Sequence, residues 1–234
     1  MKTAIITGGG SGIGLATARA LSREGYRVGL IGRRAEVLQA AVEAITQAGG
    51  EAWAAAVDVY DQAAVEACVA ATIDRFGTID LLINNAGSFK LTPFEDMTLT
   101  EWRDTLDVNL TGAFICAKAV WPHLDNGHLI NVSSVAGVQA YPGCAAYSAA
   151  KYGLIGLSEV LALEGKARNI RVHVICPGNT QTDLWGDQAP AAVKARMMKP
   201  DDIAEVIRWL VVSPPHISFD KVVIRPTHNP WDGA

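Results

Sequence analysis

Tyr147 and Lys151 stand four residues apart inside the stretch NVSSVAGVQAYPGCAAYSAAKYGLIGL, which runs from position 131 to 157. On a helix, that spacing stacks two side chains on one face, about 6 Å apart along the axis. A free phenol titrates near ~10, and bringing it close to neutrality takes roughly 3–4 kcal/mol. One unit charge at ~4 Å supplies about that much at an effective dielectric of ~20. The pair therefore predicts a phenol made acidic by an ammonium, able to give and take protons near neutral pH. Ser134, at the end of the preceding apolar run, is placed to hydrogen-bond the same reacting oxygen. Its neighbour Ser133 points the other way if Ser134 faces the site, because side chains alternate along a strand. By itself Tyr-x-x-x-Lys also fits an exposed helix turn. Its meaning depends on the elements around it.

Those elements alternate strictly. Short apolar runs predict strands at 3–7, 27–31, 51–57, 80–83, 128–132, 171–175 and 221–224. Between them, amphipathic segments predict helices at 14–24, 35–47, 62–76, 100–124, 147–167 and 200–212. Strands that are apolar throughout, separated by helices, call for a parallel sheet covered on both faces. The expectation is α/β: one doubly wound domain over 1–234 with a seven-stranded parallel sheet, undivided by repeats, low-complexity tracts or a linker. Sheets of this kind bind ligands at the carboxyl ends of their strands.

The first such end reads Thr7-Gly8-Gly9-Gly10-Ser11-Gly12-Ile13-Gly14 and opens directly into a helix. Glycines let backbone approach a ligand closely, and a helix N-terminus presents free N–H groups to a pyrophosphate. The spacing is Gly8-x-x-x-Gly12-x-Gly14 and not G-x-G-x-x-G.

Composition narrows the class further. Half of the 234 residues are hydrophobic, enough for a full core, and the net charge is −4 with scattered basic residues. That balance offers no footprint for nucleic acid or an anionic membrane. Met1-Lys2-Thr3 runs straight into Ala4-Ile5-Ile6, leaving no room for a signal peptide. No apolar run approaches the ~18 residues of a membrane span. Cys68, Cys116, Cys144 and Cys176 form no CxxC pair, and the five histidines show no ligand spacing, so no metal site is expected. The cysteines read as small core residues of a cytoplasmic protein.

TGGGSGIG, Asn84-Asn85-Ala86-Gly87 after the fourth strand, Asn109, Ser134, Tyr147-x-x-x-Lys151 and Pro177-Gly178 together resemble the short-chain dehydrogenase/reductase family. The order and intervals match the family's, including thirteen residues from Ser134 to Tyr147, and the likeness covers nearly the whole chain. The resemblance implies a Rossmann-type fold and hydride transfer between a nicotinamide dinucleotide and a small-molecule carbonyl or alcohol. It implies that Gly8, Ser11, Gly12, Ile13 and Gly14 hold the phosphate and ribose region, with Asp58 and Val59 at the adenine. Asn85, Ala86 and Gly87 would line the cofactor's centre, and Pro177, Gly178, Thr180 and Thr182 its nicotinamide end; Asn84 would support the sheet. It also implies roles for the reacting groups. Tyr147 is the general acid/base, Lys151 lowers its pKa and holds the nicotinamide ribose, Ser134 polarises the carbonyl, and Asn109 holds a water in a proton relay.

Cofactor choice is read at the end of the second strand. An NAD-preferring member places an acidic residue there for the ribose 2′-OH. This chain has Gly32, then Arg33 and Arg34. The prediction is NADP(H), with Arg33 as the main contact to a 2′-phosphate and Arg34 a second, and NAD(H) as the alternative.

Two departures from the family pattern stand out. The segment DLWGDQAPAAVKARMMK between Thr182 and Pro200 is short, predicting a small, mobile lid over 183–199, with Trp185 either covering substrate or packing in a core. The end Lys221-Val222-Val223-Ile224-Arg225-Pro226-Thr227 replaces a glycine-rich turn and is loosely similar to the branch containing NADP-dependent 3-hydroxy acid (serine-type) dehydrogenases. Val138, Gln139 and Tyr141 in the stretch 135–146 predict a largely apolar pocket with few polar handles. Apolar residues on more than one face of the helices at 100–124 and 147–167 predict a homo-oligomer, and family members commonly form dimers and tetramers through these helices. The rival from another class is a regulator that binds NADP(H) without turnover.

Overall fold

The computed structural model describes residues 1–232, so the last two positions of the expected domain lie outside the described residues. Seven strands form one parallel sheet in the order β3-β2-β1-β4-β5-β6-β7. They are β1 (Thr3–Thr7), β2 (Arg27–Gly32), β3 (Ala52–Ala56), β4 (Leu81–Asn84), β5 (His128–Val132), β6 (Arg171–Pro177) and β7 (Lys221–Ile224). This is the doubly wound Rossmann-type α/β fold. The chain winds outward from β1 to β3, then crosses back so that β4 lies beside β1. Loops leaving β1 and β4 diverge at that reversal and open a crevice above the strand ends.

All five residues of β1 and of β5 are buried. Alternation sends Ala4 and Ile6 into one core and Ile5 into the other. On the first face pack α1 (Gly12–Arg23), α2 (Ala35–Gln47) and α8 (Pro200–Val212) through Leu21, Leu38, Ile45, Ile203 and Leu210. On the second lie α3 (Gln62–Phe76), α5 (Gly112–Val120) and α6 (Ala145–Gly165) through Val65, Val69, Ile115, Val120 and the half-buried Leu161. Asp61 caps α3 by accepting from the Ala64 N–H at 3.0 Å.

The helix expected over 100–124 departs from regularity. It consists of α4 (Leu99–Leu106), a π turn over Asp107–Thr111 and α5, with Pro122 in a closing 3-10 turn. The widened turn surrounds Asn109, whose amide donates to Thr105 O and to Ser88 O, both at 2.9 Å. A hydrogen bond leading out of the helix to the β4 loop sets the phase here, and nothing in the local apolar spacing encodes it. The segment after Thr182, expected as a small lid, has structure of its own. A 3-10 turn at Asp183–Trp185 and the single turn α7 (Ala191–Lys194) enclose a small core of Ala189, Val193 and Met197 with Trp185 against it. No helix among the described residues is long and apolar enough to cross a membrane.

Candidate active site

A cleft of about 1140 Å³ opens along the strand ends, and every catalytic and cofactor-binding residue expected from the sequence except Gly14 lines it; Val138, expected in its wall, packs instead against Ile155, Val174 and Cys176. The glycine loop forms its floor at the β1 end. Gly8 and Gly12 have φ of +65° and +53°, a region that side chains rarely adopt. Gly14 lies beneath the loop: a Cβ there would stand 2.3 Å from Gly8 O and 2.6 Å from the Asn85 amide nitrogen. Gly14 lets α1 pack closely under the loop and does not itself line the cleft. Asn85 braces the same loop by donating to Thr7 O at 3.0 Å and to Gly8 O at 3.3 Å. The Thr7 hydroxyl, unnoticed in the sequence, accepts from both the Asn85 and Ala86 N–H groups at 2.9 Å and ties β1 to the β4 loop. Asn84 supports the sheet, donating to Ala113 O and to the Asn131 side chain.

Arg33 and Arg34 are exposed on the cleft rim at the end of β2, and Arg34 donates to the Ser11 hydroxyl at 3.2 Å. A cradle kept open by missing side chains, free N–H groups at the start of α1 and paired guanidinia beside them match the phosphates and ribose of a dinucleotide. The residues present fit such a cofactor.

Tyr147, Lys151, Ser134 and Asn109 converge on the opposite wall. Tyr147 and Lys151 share one face of α6, and the Lys151 Nζ sits 5.5 Å from the centre of the phenol ring. Ser133 is buried, and its hydroxyl donates to Lys151 O at 2.9 Å, which pins α6 to the end of β5; Lys151 in turn donates to Val132 O at 3.0 Å. Ser134 is half-buried in the cleft wall, where its Oγ accepts from the Ala136 N–H at 3.1 Å. Asn109 Oδ1 is buried and has no hydrogen-bond partner. A Cβ at Gly87 would stand 2.8 Å from that oxygen and 3.7 Å from the Lys151 Nζ, so both polar atoms face one small space. An orphaned acceptor of this kind is satisfied by water or ligand.

Electrostatics correct one expectation. Burial pushes the Tyr147 phenol up to about 12, against which the Ser134 hydrogen bond pulls down. Burial also lowers Lys151, to about 8. The closed wall penalises both charged forms, and without cofactor the ammonium does not bring the phenol toward neutrality.

Aromatic residues line the cleft beside Tyr147. Phe89 meets Tyr147 edge-on at 4.9 Å and Trp185 at 5.3 Å, while Trp185 donates to Thr180 O at 3.1 Å and tilts against Trp231 at 6.1 Å. Trp185 thus covers the chamber and packs in the small core beside it. The chain after β7 closes the roof with Asn229, Pro230 and Trp231, held by Arg196 donating to Asp232 O at 2.7 Å. Phe89 and this roof escaped the sequence reading. The proline-spaced Pro226–Pro230 run was the available signal.

A parallel α/β sheet with a dinucleotide cradle facing a buried tyrosine–lysine pair defines a nicotinamide-dependent oxidoreductase. The profile of the short chain dehydrogenase family matches residues 2–192. Over 222 residues the chain is 36% identical to a 3-oxoacyl-[acyl-carrier-protein] reductase of Synechocystis sp., covering 91% of this chain and 90% of that one. It is 34% identical over 240 residues to glycine betaine reductase ATRR of Emericella nidulans, covering 98% of this chain but 19% of that much longer protein. Its structure superposes with a TM-score of 0.91 on an alcohol dehydrogenase from the archaeon Thermococcus sibiricus complexed with 5-hydroxy-NADP, at 28% identity over 97% of each chain. The chain belongs to the short-chain dehydrogenase/reductase family, oxidoreductases that act on CH–OH groups with NAD(P)(H).

Proposed function

We propose that this protein is an NADP(H)-dependent carbonyl reductase that interconverts a small carbonyl compound and its alcohol, with Tyr147 as general acid/base. The observation that carries this reading is the convergence of Tyr147, Lys151, Ser134 and the orphaned Asn109 Oδ1 on one wall of the cleft. When bound, the nicotinamide supplies or takes up the hydride. Every other step belongs to the chain's own groups. Ser134 hydrogen-bonds the substrate oxygen and holds it beside the phenol. Tyr147, protonated throughout the neutral range because burial holds it high, donates its proton as charge develops on that oxygen. Lys151 stabilises the phenolate left behind and holds the nicotinamide ribose. Asn109 Oδ1 anchors a water through which the proton is replaced from solvent. Phe89, Trp185 and Trp231 exclude bulk water, which strengthens each of these interactions.

Arg33 and Arg34 beside Ser11, with Gly32 where a carboxylate would repel phosphate, support a preference for NADP(H) over NAD(H). Gly8, Ser11, Gly12 and Ile13 would cradle the phosphates, with Gly14 packed beneath them. Asp58 and Val59 would meet the adenine, and Asn85, Ala86 and Gly87 the centre of the molecule. Pro177, Gly178, Thr180 and Thr182 would hold the nicotinamide. The exposed apolar residues Phe114, Tyr152, Val160 and Leu163 on α5 and α6 support a homo-oligomer, dimer or tetramer, built on these helices. Four free, buried cysteines suit a cytoplasmic setting.

The test is oxidation of NADPH with a panel of ketones and aldehydes, repeated with NADH. Tyr147→Phe lowers kcat/KM by roughly 10²–10⁴-fold while the cofactor still binds. Arg33→Ala erodes the preference for NADPH. Turnover undiminished in Tyr147→Phe refutes the acid/base assignment, and equal kcat/KM with the two cofactors refutes the phosphate clamp.

A further inference from the structure

The mouth of the cleft carries an exposed guanidinium that the proposed chemistry leaves unused. Arg225 is the first residue after β7, where Gly178 N–H donates to Ile224 O at 2.7 Å. A Cβ on Gly178 would stand 3.6 Å from Arg225 Cα, so Arg225 leaves the sheet beside the loop that follows β6. Its side chain reaches the loop between β5 and α6 at the mouth of the cleft. Nη1 lies 3.5 Å from the Tyr141 hydroxyl and Nη2 3.3 Å from Gln139 Oε1. The guanidinium therefore spans the gap between the strand end beside Gly178 and the loop that carries Ser134 and leads into Tyr147. Arg225 adds one polar handle to the few expected there, and it comes from the far end of the chain.

Arg225 takes part in none of the ion pairs among the described residues. Asp183, a carboxylate on the same cleft, is not paired with it. Two long bonds to neutral acceptors orient the fork without neutralising it, and a guanidinium has five N–H donors to place. Its position separates it from the cofactor's phosphates. In the sheet order β2 and β7 are five strand spacings apart, or ~24 Å, so Arg225 is remote from Arg33 and Arg34. β5 and β7 are only two spacings apart, ~10 Å, which puts Arg225 within a short substrate's length of Ser134 and Tyr147. Arg225, Gln139 and Tyr141 are exposed at the mouth of the cleft beside Asn229 and Trp231, so a carboxylate reaches the guanidinium directly from solvent.

We infer that Arg225, oriented by Gln139 and Tyr141, is a specificity-determining residue that binds the carboxylate of a short oxo acid or hydroxy acid whose carbonyl or alcohol carbon lies at Tyr147. The inference rests on the reading of the site as a carbonyl reductase. A planar guanidinium fork matches a carboxylate in a bidentate pair and gives a neutral ketone nothing equivalent.

Short oxo acids of increasing chain length, each assayed against its methyl ester with NADPH, test it. The wild-type protein prefers acid over ester at one chain length. In Arg225→Met, the acid-to-ester ratio of kcat/KM falls about 10- to 100-fold, the range of one charge-assisted hydrogen bond, and the loss sits in KM. Arg225→Lys restores part of the ratio. A binding readout stands apart from turnover: with NADP+ present, malonate raises the melting temperature of the wild type, malonamide does not, and Arg225→Met abolishes the malonate effect. An unchanged acid-to-ester ratio, or equal stabilisation by malonate in wild type and Arg225→Met, overturns the inference. Absence of turnover with every carbonyl compound refutes the proposed function, and the malonate comparison still decides the role of Arg225.

Discussion

Replacing Lys151 with methionine removes the one cation on the wall beside Tyr147 while keeping the apolar length of the side chain. Its Nζ lies 5.5 Å from the phenol ring centre. At an effective dielectric of ~20, a unit charge at that distance stabilises a phenolate by about 3 kcal/mol, or about 2 pKa units. Alcohol oxidation starts from the phenolate, which burial disfavours by holding the phenol up to about 12. Loss of the ammonium should therefore slow oxidation roughly 100-fold at neutral pH. The ratio of wild-type to Lys151→Met activity should also depend on pH in a definite direction. Burial lowers Lys151 to about 8, so above that pH the wild type loses the same charge and the two proteins converge. Lys151→Met also leaves Val132 O without its donor, a cost of about 1–3 kcal/mol to the fold, so the shape of the profile and not its height is the readout. The assay is kcat/KM for alcohol oxidation with NADP+ from about pH 6 to about pH 10, beside Lys151→Arg, which keeps its charge across that range. A ratio that stays constant with pH, or a Lys151→Arg profile identical to Lys151→Met, refutes the reasoning.

Acid should destabilise the protein through two histidines on β5 and β6. Burial, then the nearby Arg171, holds His128 down to about 3, and burial lowers His173, which lies 3.4 Å from it. Burial favours the neutral form of both relative to the ~6.5 of an unfolded histidine, so the unfolded chain binds more protons below that pH. The His128 contribution is complete above about pH 6.5 and is lost as the pH falls toward about 3, by up to ~1.4 kcal/mol per pH unit, and His173 adds in the same direction. Urea denaturation between about pH 7 and about pH 5 reads the slope, which His128→Gln should flatten by about one proton. In the glycine loop, Gly14→Ala drives a Cβ to 2.3 Å from Gly8 O, so backbone must move. Cofactor affinity should fall at least about tenfold by fluorescence titration, the scale of a 1.4 kcal/mol loss, and unchanged affinity would show that the loop tolerates the shift.

The sheet was legible because each strand is apolar on both faces, and Tyr147, Lys151 and Ser134 because helix and strand periods are short-range rules. Where the reading fell short, the cause was interaction between distant parts of the chain. The π turn at Asn109 depends on Ser88, 21 residues away, and Arg225 reaches Tyr141 across 84. The direction of the Tyr147 shift depends on burial, which three loops create jointly and a four-residue spacing does not disclose. The place of Arg33 and Arg34 on the cleft rim was readable because they lie directly after a strand end; the Trp185–Trp231 contact was not, because it joins two segments of irregular chain.

The widened turn between α4 and α5 has a cost for anyone who wishes to harden this protein. A regular helix through 107–111 would be the natural choice of a stability-driven redesign, and it is the one edit that would rotate Asn109 out of register with Lys151. If Asn109 serves the proposed proton relay, durability and turnover make opposite demands on the same five residues.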